Sequence, residues 1–321
     1  MKLIELFNFR KEDMKPEGKR NAVVALGGGG ARGLAHLGAM ESIGSSGVLT
    51  ERIVGVSMGS LVGALCAINP DVRSVQTEAI ELLNSPVFLE KCGVLSASAR
   101  HLSDRDKQSE FASWSSNLYG RLRQSVANGR RWRRALYYPS ILRENILRDA
   151  IEFLLPDIDI SETEIPLSIV AADLLSGQRI VMERGSLREA VIASTAIPGF
   201  FPPVKWGKCL LCDVGVMDSL PIEISRSYAS DLVIGVDVGN SHSTIEECET
   251  TVEIMMRMDE IAERLLRREM YKQADVVIRP EVGDRLWFDF RNPQSLINAG
   301  RTAGLHSLKP LRESIDRIST S

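Results

Sequence analysis

Short apolar runs alternate with longer amphipathic segments along most of this chain. Several runs, such as LVIGV at 232–236, contain no polar side chain, as expected of strands that are buried on both faces of a sheet. The alternation predicts an α/β fold in which helices cover a mainly parallel central sheet. The predicted strands are Ala22–Leu26, Ile53–Val56, Leu167–Ala172, Gln178–Glu183, Leu210–Asp213, Leu232–Asp237 and Val276–Arg279. The predicted helices are Gly33–Ile43, Met58–Ile68, Val72–Leu83, Ile141–Phe153, Leu187–Ala193, Glu246–Lys272 and Ser295–Ile315.

One stretch, at about 95–140, departs from this pattern. Within it, Leu118–Tyr138 carries six arginines and no acidic residue, with aromatic side chains among the arginines. We interpret the stretch as a helical insertion or lid on the domain. Its composition suits peripheral contact with an anionic membrane, and a solvated arginine face is the alternative. The arginines predicted to make that contact are Arg130, Arg131, Arg133 and Arg134.

The composition and the charge exclude several classes of protein but do not change the predicted fold. Apolar residues make up 44% of the 321 residues, enough for a sizeable core, and the net charge of −3 argues against nucleic-acid binding. Five cysteines, an odd number, do not indicate a disulfide framework, and the C-x-x-C of Cys209 and Cys212 lacks the partners of a metal site. Because the sequence has neither a secretory signal nor an apolar run long enough to span a bilayer, we expect a soluble, cytoplasmic protein.

A glycine-rich loop, Gly27–Gly33, follows the first predicted strand and leads directly into a helical pattern. Glycine amides and the positive end of a helix therefore meet at one point, which suits an anion, either a bound phosphate or a transient oxyanion. Gly28, Gly30 and Gly33 also satisfy the dinucleotide motif G-x-G-x-x-G. However, the second predicted strand is not followed by the acidic residue that holds a ribose. We favour the oxyanion, with a dinucleotide or a purely structural turn as alternatives.

The second predicted strand runs into G-x-S-x-G, formed by Gly55, Ser57 and Gly59, and a helical pattern follows. Strand, sharp turn and helix are the setting of a nucleophile elbow, which exposes the serine hydroxyl at a helix N-terminus. The two glycines remove Cβ atoms that would crowd such a turn. The pattern predicts Ser57 as a nucleophile, and a serine in an ordinary β–α turn is the alternative.

A serine nucleophile needs a base. Asp213 ends an apolar strand before a turn, and functional groups gather at the carboxyl ends of parallel strands, so the sequence favours this carboxylate. Partial burial would raise its pKa and make it a better base. An aspartate that only caps a turn is one alternative, and a histidine base, His242 or His306, is another. His36 is predicted to form hydrogen bonds in the core.

Together these motifs resemble the patatin-like phospholipase family, which combines G-G-G-x-[KR]-G, G-x-S-x-G and D-G-[GA] in that order. Gly28–Gly33, Gly55–Gly59 and Asp213–Gly215 stand at these positions, and ASTAIPGFFPPV at 193–204 is similar to the bacterial branch. The resemblance covers about residues 20–280 and implies a three-layer α/β/α fold with a mainly parallel sheet. Residues 281–321 would then form a C-terminal helical extension packed on this domain.

The resemblance also implies a carboxylic ester hydrolase that acts on phospholipids, lysophospholipids or other lipid acyl esters without a metal or organic cofactor. Ser57 would be the nucleophile and Asp213 the proton acceptor of a dyad without histidine. The amides of Gly28–Gly30 would form the oxyanion hole, and Arg32 would steady the loop that Gly33 completes.

One position departs from the family pattern. Val214 stands where a glycine usually follows the aspartate, and Gly215 comes one residue later. If the backbone there requires a positive φ, a β-branched residue is strained and Asp213 is misaimed. The alternative function is therefore a lipid-binding or regulatory relative with weak turnover.

Overall fold

The computed structural model describes residues 20–85, 144–215, 217–239, 251–283, 285 and 289–319. Their strands are β1 (Asn21–Leu26), β2 (Leu49–Val56), β3 (Leu167–Asp173), β4 (Arg179–Met182), β5 (Val204–Trp206), β6 (Cys209–Cys212), β7 (Leu232–Val236) and β8 (Val276–Ile278). Their α-helices are α1 (Ala35–Gly44), α2 (Met58–Ile68), α3 (Val72–Leu83), α4 (Glu144–Leu154), α5 (Leu187–Thr195), α6 (Ile222–Arg226), α7 (Thr251–Met270) and α8 (Pro293–Ser319). Short 3₁₀ helices cover Gly30–Leu34, Ile160–Glu162 and Tyr271–Gln273. The predicted arginine-rich insertion lies outside the described residues.

The strands form one sheet in the order β5-β6-β3-β2-β1-β7-β8, and β4 pairs with β3 off this path. The strands β3, β2, β1, β7 and β8 run parallel to one another. The pairings β3–β4, β3–β6 and β5–β6 are antiparallel. The predicted α/β class is confirmed, and the sheet is mixed because its β3 side carries antiparallel strands. The short elements β5 and α6 were not predicted.

Residues of β1 alternate between the two faces of the sheet, and apolar side chains cover both faces. Val24 and Leu26 belong to the large core that includes residues of α1, α2, α5 and α8. Val23 and Ala25 belong to smaller clusters on the opposite face, where residues of α6 and the end of α7 pack. A strand buried on both sides carries no polar alternation, which explains the apolar run. Helices therefore lie on both sides of the sheet, in three layers.

The helix α8 packs on α1 at very short distance. A Cβ atom on Gly300 would lie 1.8 Å from the carbonyl oxygen of Ala35, so no larger residue fits there without a backbone shift. Arg301 of α8 forms an ion pair with Glu41 of α1 at 2.7 Å. This seam ties the C-terminal helix to the helix that follows the glycine loop. Among the helices described, none is both long enough and apolar enough to cross a bilayer.

Candidate active site

Ser57 occupies a strained turn between β2 and α2. Its φ of 53° and ψ of −126° lie outside the regions that L-residues prefer. The turn is held on both sides, because the Ser57 amide donates to Ser194 Oγ at 2.9 Å and the Ser57 carbonyl accepts from Ser60 Oγ at 2.7 Å. Strain of this kind persists only where the surroundings over-determine the backbone, and it clusters at functional sites.

The two glycines of the elbow allow it to press on the end of β1. A Cβ atom on Gly59 would lie 2.2 Å from the carbonyl oxygen of Leu26, and one on Gly55 would lie 2.6 Å from the carbonyl oxygen of Gly59. Neither backbone oxygen can move away cheaply. The geometry agrees with the prediction that these glycines remove Cβ atoms that would crowd the turn. Because neither glycine has a side chain, Ser57 can lie next to the glycine loop.

The glycine loop lies against the Ser57 side chain. A Cβ atom on Gly28 would lie 3.3 Å from the Ser57 Cβ atom. The Gly28 amide already donates to the Ser219 carbonyl at 2.9 Å. Of the amides predicted to form the oxyanion hole, those of Gly29 and Gly30 therefore remain as candidates. Upstream, the loop is fixed by the Gly27 amide, which donates to the Val236 carbonyl at 3.1 Å.

The second half of the loop contains the remaining candidate amides for the predicted oxyanion hole. Gly30 has a φ of 57° and begins a 3₁₀ helix, whose first amides have no acceptor within the helix. Arg32 Nε donates to the Gly29 carbonyl at 3.1 Å, which agrees with the predicted steadying of the loop. A Cβ atom on Gly33 would lie 2.2 Å from Met58 Cγ, so this glycine lets the loop close on α2.

Asp213 follows β6 and is only 8% exposed. Its amide donates to the Ala196 carbonyl at 3.0 Å, and its carboxylate accepts from the Gly215 amide at 2.8 Å. Burial raises the pKa of Asp213 to about 6, while hydrogen bonds from the Ser57 hydroxyl and the Gly215 amide oppose the rise. The structure thus brings together the two side chains that the sequence selected.

Asp213 reaches the site by a different route from the one predicted. The sequence favoured Asp213 as the end of a parallel strand, but β6 runs antiparallel to β3. The pairing of β6 with β3 involves only Ala172 and Asp173, the last residues of β3. The strand β6 begins beyond the carboxyl end of β3 and returns only as far as the last two residues of β3. Asp213, which follows β6, therefore still lies at the carboxyl end of the parallel strands, beside the elbow.

Val214 does not carry the strain that its comparison with the family pattern suggested. Among the described non-glycine residues, a positive φ occurs only at Ser57 and Asn292. The Val214 side chain is buried in an apolar cluster with Val56, Val170 and other residues beneath the sheet. The condition under which Asp213 would be misaimed is therefore not met, because valine fits this backbone and contributes to the core.

The structure describes two of the histidines, His36 and His306. His36 is fully buried, and its Nε2 lies 2.8 Å from the Gly27 carbonyl, to which it donates. Burial lowers the pKa of His36 to about 4, so the ring stays neutral and fixes the start of the loop. His306 is exposed on α8. The other histidine considered as a base, His242, lies outside the described residues.

Two further residues, which the sequence did not single out as site residues, interact with Ser57 and Asp213. Ser194 was noticed only as part of a family-like block, and its hydroxyl proves to hold the Ser57 amide. Glu263 of α7 faces the site from the other side, and its charge contributes to the raised pKa of Asp213. A charged residue in an amphipathic helix indicates a solvated face by default, so no local signal could have identified it.

Two curated relatives align with about two thirds of the chain. An uncharacterized NTE family protein of Mycobacterium tuberculosis is 30% identical over 220 residues, which cover 68% of this chain and 49% of that protein. Patatin-like phospholipase domain-containing protein 6 of Mus musculus is 28% identical over 226 residues, which cover 69% of this chain and 14% of that protein. The chain therefore spans about half or less of the length of these relatives.

Solved structures that align with this chain include two bacterial proteins. VipD from Legionella pneumophila superimposes with a TM-score of 0.43 at 18% identity, covering 92% of this chain and 67% of VipD. ExoU, from Pseudomonas aeruginosa, superimposes with a TM-score of 0.35 at 16% identity, covering 92% of this chain and 54% of ExoU. The patatin-like phospholipase family model itself matches residues 24–225, which include the glycine loop, the elbow and Asp213. This chain belongs to the patatin-like phospholipase family.

Proposed function

We propose that this protein is a serine acyl-ester hydrolase that acts on lipid esters, of the phospholipase A, lysophospholipase or carboxylesterase type. One observation carries the proposal: a buried carboxylate, Asp213, interacts with a serine hydroxyl on a strained elbow beside a glycine loop. Membership of the patatin-like phospholipase family supports a lipid ester as the substrate.

In the first half-reaction, Ser57 Oγ attacks the ester carbonyl carbon and its proton passes to Asp213. With a pKa of about 6, Asp213 is largely ionised at neutral pH and is a stronger base than an exposed aspartate. Charge develops on the carbonyl oxygen, and the amides of Gly29 and Gly30 are the proposed donors to it. One such donor contributes about 3 kcal/mol to stabilisation of the transition state.

The tetrahedral intermediate then collapses. The bond to the leaving alkoxide breaks, and the proton on Asp213 moves to that oxygen, which departs as an alcohol. In the second half-reaction a water molecule attacks the acyl-enzyme while Asp213 accepts its proton. Collapse of this intermediate releases the fatty acid and returns the proton to Ser57 Oγ, so no proton is left over in the cycle.

Hydrolysis of p-nitrophenyl esters of increasing chain length tests the proposal. We expect Ser57→Ala and Asp213→Asn each to reduce kcat/KM by about 10³-fold or more, as losses of nucleophile and base do in serine hydrolases. His242→Ala and His306→Ala are matched controls, and we expect them to keep wild-type activity. Retained activity in Asp213→Asn together with its loss in a histidine variant would overturn the dyad in favour of a triad.

A fluorophosphonate probe separates an enzyme from a binding relative. We expect the probe to label wild-type protein at Ser57 and to leave Ser57→Ala unlabelled. Silence of the wild-type protein towards this probe and towards every ester would favour the lipid-binding alternative. Mass spectrometry of the labelled peptide identifies the residue that carries the adduct.

We also propose peripheral contact with an anionic membrane through the arginine-rich segment, which lies outside the described residues. The supporting observation is the density of arginine and aromatic residues without acids in Leu118–Tyr138. Each basic residue near such a surface contributes about 1 kcal/mol. Sedimentation with phosphatidylserine vesicles, and with neutral vesicles as the control, tests it. Unchanged binding after replacement of the following residues by Gln would refute it: Arg130, Arg131, Arg133 and Arg134.

A further inference from the structure

The helix α7 buries one of its charged side chains. Arg267 is only 4% exposed although it carries a permanent charge. On the other side of the same helix, the apolar side chains of Ile254, Met258 and Leu265 are exposed. This is the reverse of the usual arrangement, in which the apolar stripe of a helix faces the core. A buried guanidinium of this kind needs acidic partners close by.

Arg267 lies between two carboxylates. Its Nη1 atom lies 3.4 Å from Oδ1 of Asp237 and 3.1 Å from Oε1 of Glu263. Asp237 directly follows β7, and its carboxylate also accepts from the Tyr271 hydroxyl and, at 2.8 Å, from the Gly239 amide. The Asp237 side chain thus closes a tight turn of its own backbone while Arg267 and Tyr271 hold it from outside.

The fit of Arg267 against this turn leaves no spare room. A Cβ atom on Gly239 would lie 1.3 Å from Arg267 Nη1, so the guanidinium occupies the space that a side chain would need. The Asp237 amide donates to the Ile278 carbonyl at 2.9 Å, which anchors the other end of the turn to β8. The segment 237–239 is therefore fixed by the sheet on one side and by Arg267 on the other.

The middle residue of this segment supports the glycine loop. A Cβ atom on Gly29 would lie 2.7 Å from Val238 Cγ2 and 3.1 Å from the Val238 carbonyl oxygen. Val238 is fully buried. The loop backbone at Gly29 therefore rests directly on Val238, and a movement of Val238 is transmitted to the peptide planes on either side of Gly29.

We propose that Arg267 is a positioning residue for catalysis, which locks the turn Asp237–Gly239 so that Val238 holds the Gly29 amide in the direction of the oxyanion. The inference rests on the proposed function, because it assigns a role within the same site. Arg267 does not touch the substrate. It acts through Asp237, then Val238, then Gly29.

A positioning role of Arg267 predicts a specific kinetic effect when the residue is replaced. Donors in an oxyanion hole act on the charge that develops in the transition state, so a misdirected amide lowers kcat more than it changes KM. A displacement of about 1 Å is enough to cost about 10²-fold in rate. A residue with a merely structural role would instead lower the amount of folded enzyme and leave the kcat of each folded molecule unchanged.

The variants Arg267→Met, Arg267→Lys and Tyr271→Phe test the proposal in the full-length chain with p-nitrophenyl butyrate. Rates are divided by the concentration of active sites, titrated with the fluorophosphonate probe. We expect Arg267→Met to lower kcat by about 30-fold with KM changed less than about threefold, and Tyr271→Phe to lower kcat by about threefold. Partial recovery in Arg267→Lys relative to Arg267→Met is expected because lysine restores the charge without the planar fork.

Arg301→Met is the matched control, since Arg301 also joins a helix to a carboxylate but does so in the α1–α8 seam. We expect this variant to keep the wild-type kcat. A wild-type kcat in the titrated Arg267→Met enzyme would overturn the inference while leaving the hydrolase proposal intact. If instead the wild-type protein shows no hydrolysis that depends on Ser57, the proposed function itself fails.

A second measurement covers the case in which Arg267→Met does not fold. Val238→Ala removes the Cγ atoms on which Gly29 rests and leaves every charge in place. We expect it to lower kcat in the same way, and the double variant with Tyr271→Phe to be no slower than Val238→Ala alone, because both changes act through one contact. A kcat of Val238→Ala equal to that of the wild type, or fully multiplicative losses in the double variant, would refute the proposed path.

Discussion

The backbone amide of Ser57 donates a hydrogen bond to the side-chain oxygen of Ser194 at 2.9 Å. Ser194 Oγ in turn donates to the Val170 carbonyl at 2.7 Å, so one buried hydroxyl connects the elbow, α5 and β3. Just beyond the end of α5, the Ala196 carbonyl accepts from the Asp213 amide at 3.0 Å. The segment from Ser194 to Ala196 therefore holds both residues of the proposed dyad, which come from distant parts of the sequence.

Ser194→Ala is expected to impair the elbow more than the fold. The substitution leaves the Ser57 amide without its buried acceptor, which costs about 1–3 kcal/mol, and allows the strained turn to relax. We expect kcat/KM to fall about tenfold or more for the same energetic reason. Steady-state kinetics and urea unfolding measure the two effects. Ser225→Ala is the control, because Ser225 is also fully buried and bonds a backbone carbonyl, but lies in α6. Equal kinetic losses in both variants would contradict the special role of Ser194.

The pH dependence of the reaction should report the environment of Asp213. The base must be ionised, and burial raises its pKa to about 6. As the pH falls below that value, the protonated fraction rises, so we expect kcat/KM to decline about tenfold per pH unit. Above it, the carboxylate is ionised and the rate should reach a plateau. Rates measured between pH 4.5 and 8.5, at intervals of about half a pH unit, define the profile. A midpoint near the ordinary value of an exposed aspartate would contradict the buried base.

Glu263→Gln should move this profile in a known direction. The negative charge of Glu263 raises the pKa of Asp213, so removal of that charge lowers the pKa and shifts the acid limb to lower pH. The plateau rate should stay within about threefold of the wild type, since Gln has nearly the same shape. Asp275→Asn, in which the carboxylate pairs with Arg226 elsewhere, is the control and should leave the limb in place. A shift of the acid limb to higher pH in Glu263→Gln would contradict the expected effect of the Glu263 charge on the pKa of Asp213.

The burial that raises the pKa of Asp213 also destabilises the folded protein when the carboxylate is ionised, which is the form that the proposed reaction needs. Its folded pKa of about 6 lies above the reference value of 3.8, so the folded state is penalised wherever the carboxylate ionises. The penalty is absent below the unfolded pKa, grows as the pH rises from 3.8 to about 6, and levels off at about 3 kcal/mol above the folded pKa. We expect Asp213→Asn to be inactive and yet to melt at a higher temperature than the wild type at pH 7.5. At pH 4 the two melting temperatures should converge, and a constant difference at both pH values would argue against this origin.

The sequence was most informative where the structure is local. Strand, glycine loop and helix, and likewise strand, elbow and helix, each occupy one continuous stretch, so the spacing of Gly55, Ser57 and Gly59 was enough to predict the turn. The direction of β6 is a property of its pairing with β3, made between residues far apart in sequence. No pattern within the strand reports that direction. The expectation that Asp213 lies beside the elbow agrees with the structure although β6 is not parallel, and its role as the base stays a prediction.

Buried charge was the other feature that the sequence could not supply. The pattern at Glu246–Lys272 predicted a helix that either covers the sheet or joins a partner, and it did not indicate that Arg267 would be buried against Asp237. Val214 illustrates the opposite error. The family pattern suggested strain, whereas the Met217 and Asp218 amides both bond the Val214 carbonyl and close a turn that needs no positive φ there.

The fit between the elbow and β1 gives a test of the packing that the whole site depends on. In Gly59→Ala the new methyl group would lie 2.2 Å from the Leu26 carbonyl oxygen and 2.7 Å from that of Gly27, so the elbow must move away from the glycine loop. Overpacking against backbone costs about 1–3 kcal/mol, and here it also separates Ser57 from the proposed oxyanion donors. We therefore expect a large loss of kcat with reduced stability.

Gly44→Ala is the matched control, because Gly44 ends α1 and a Cβ atom there would meet no other atom within 4 Å. Alanine is the better helix former, so this variant should be as stable as the wild type or up to about 1 kcal/mol more stable. Its kcat should not change. Thermal melting and ester hydrolysis of the two variants, measured side by side, separate the general effect of adding a methyl group from the specific contact at the elbow. Wild-type turnover in Gly59→Ala would mean that the elbow and the loop need not touch, which contradicts the site as described.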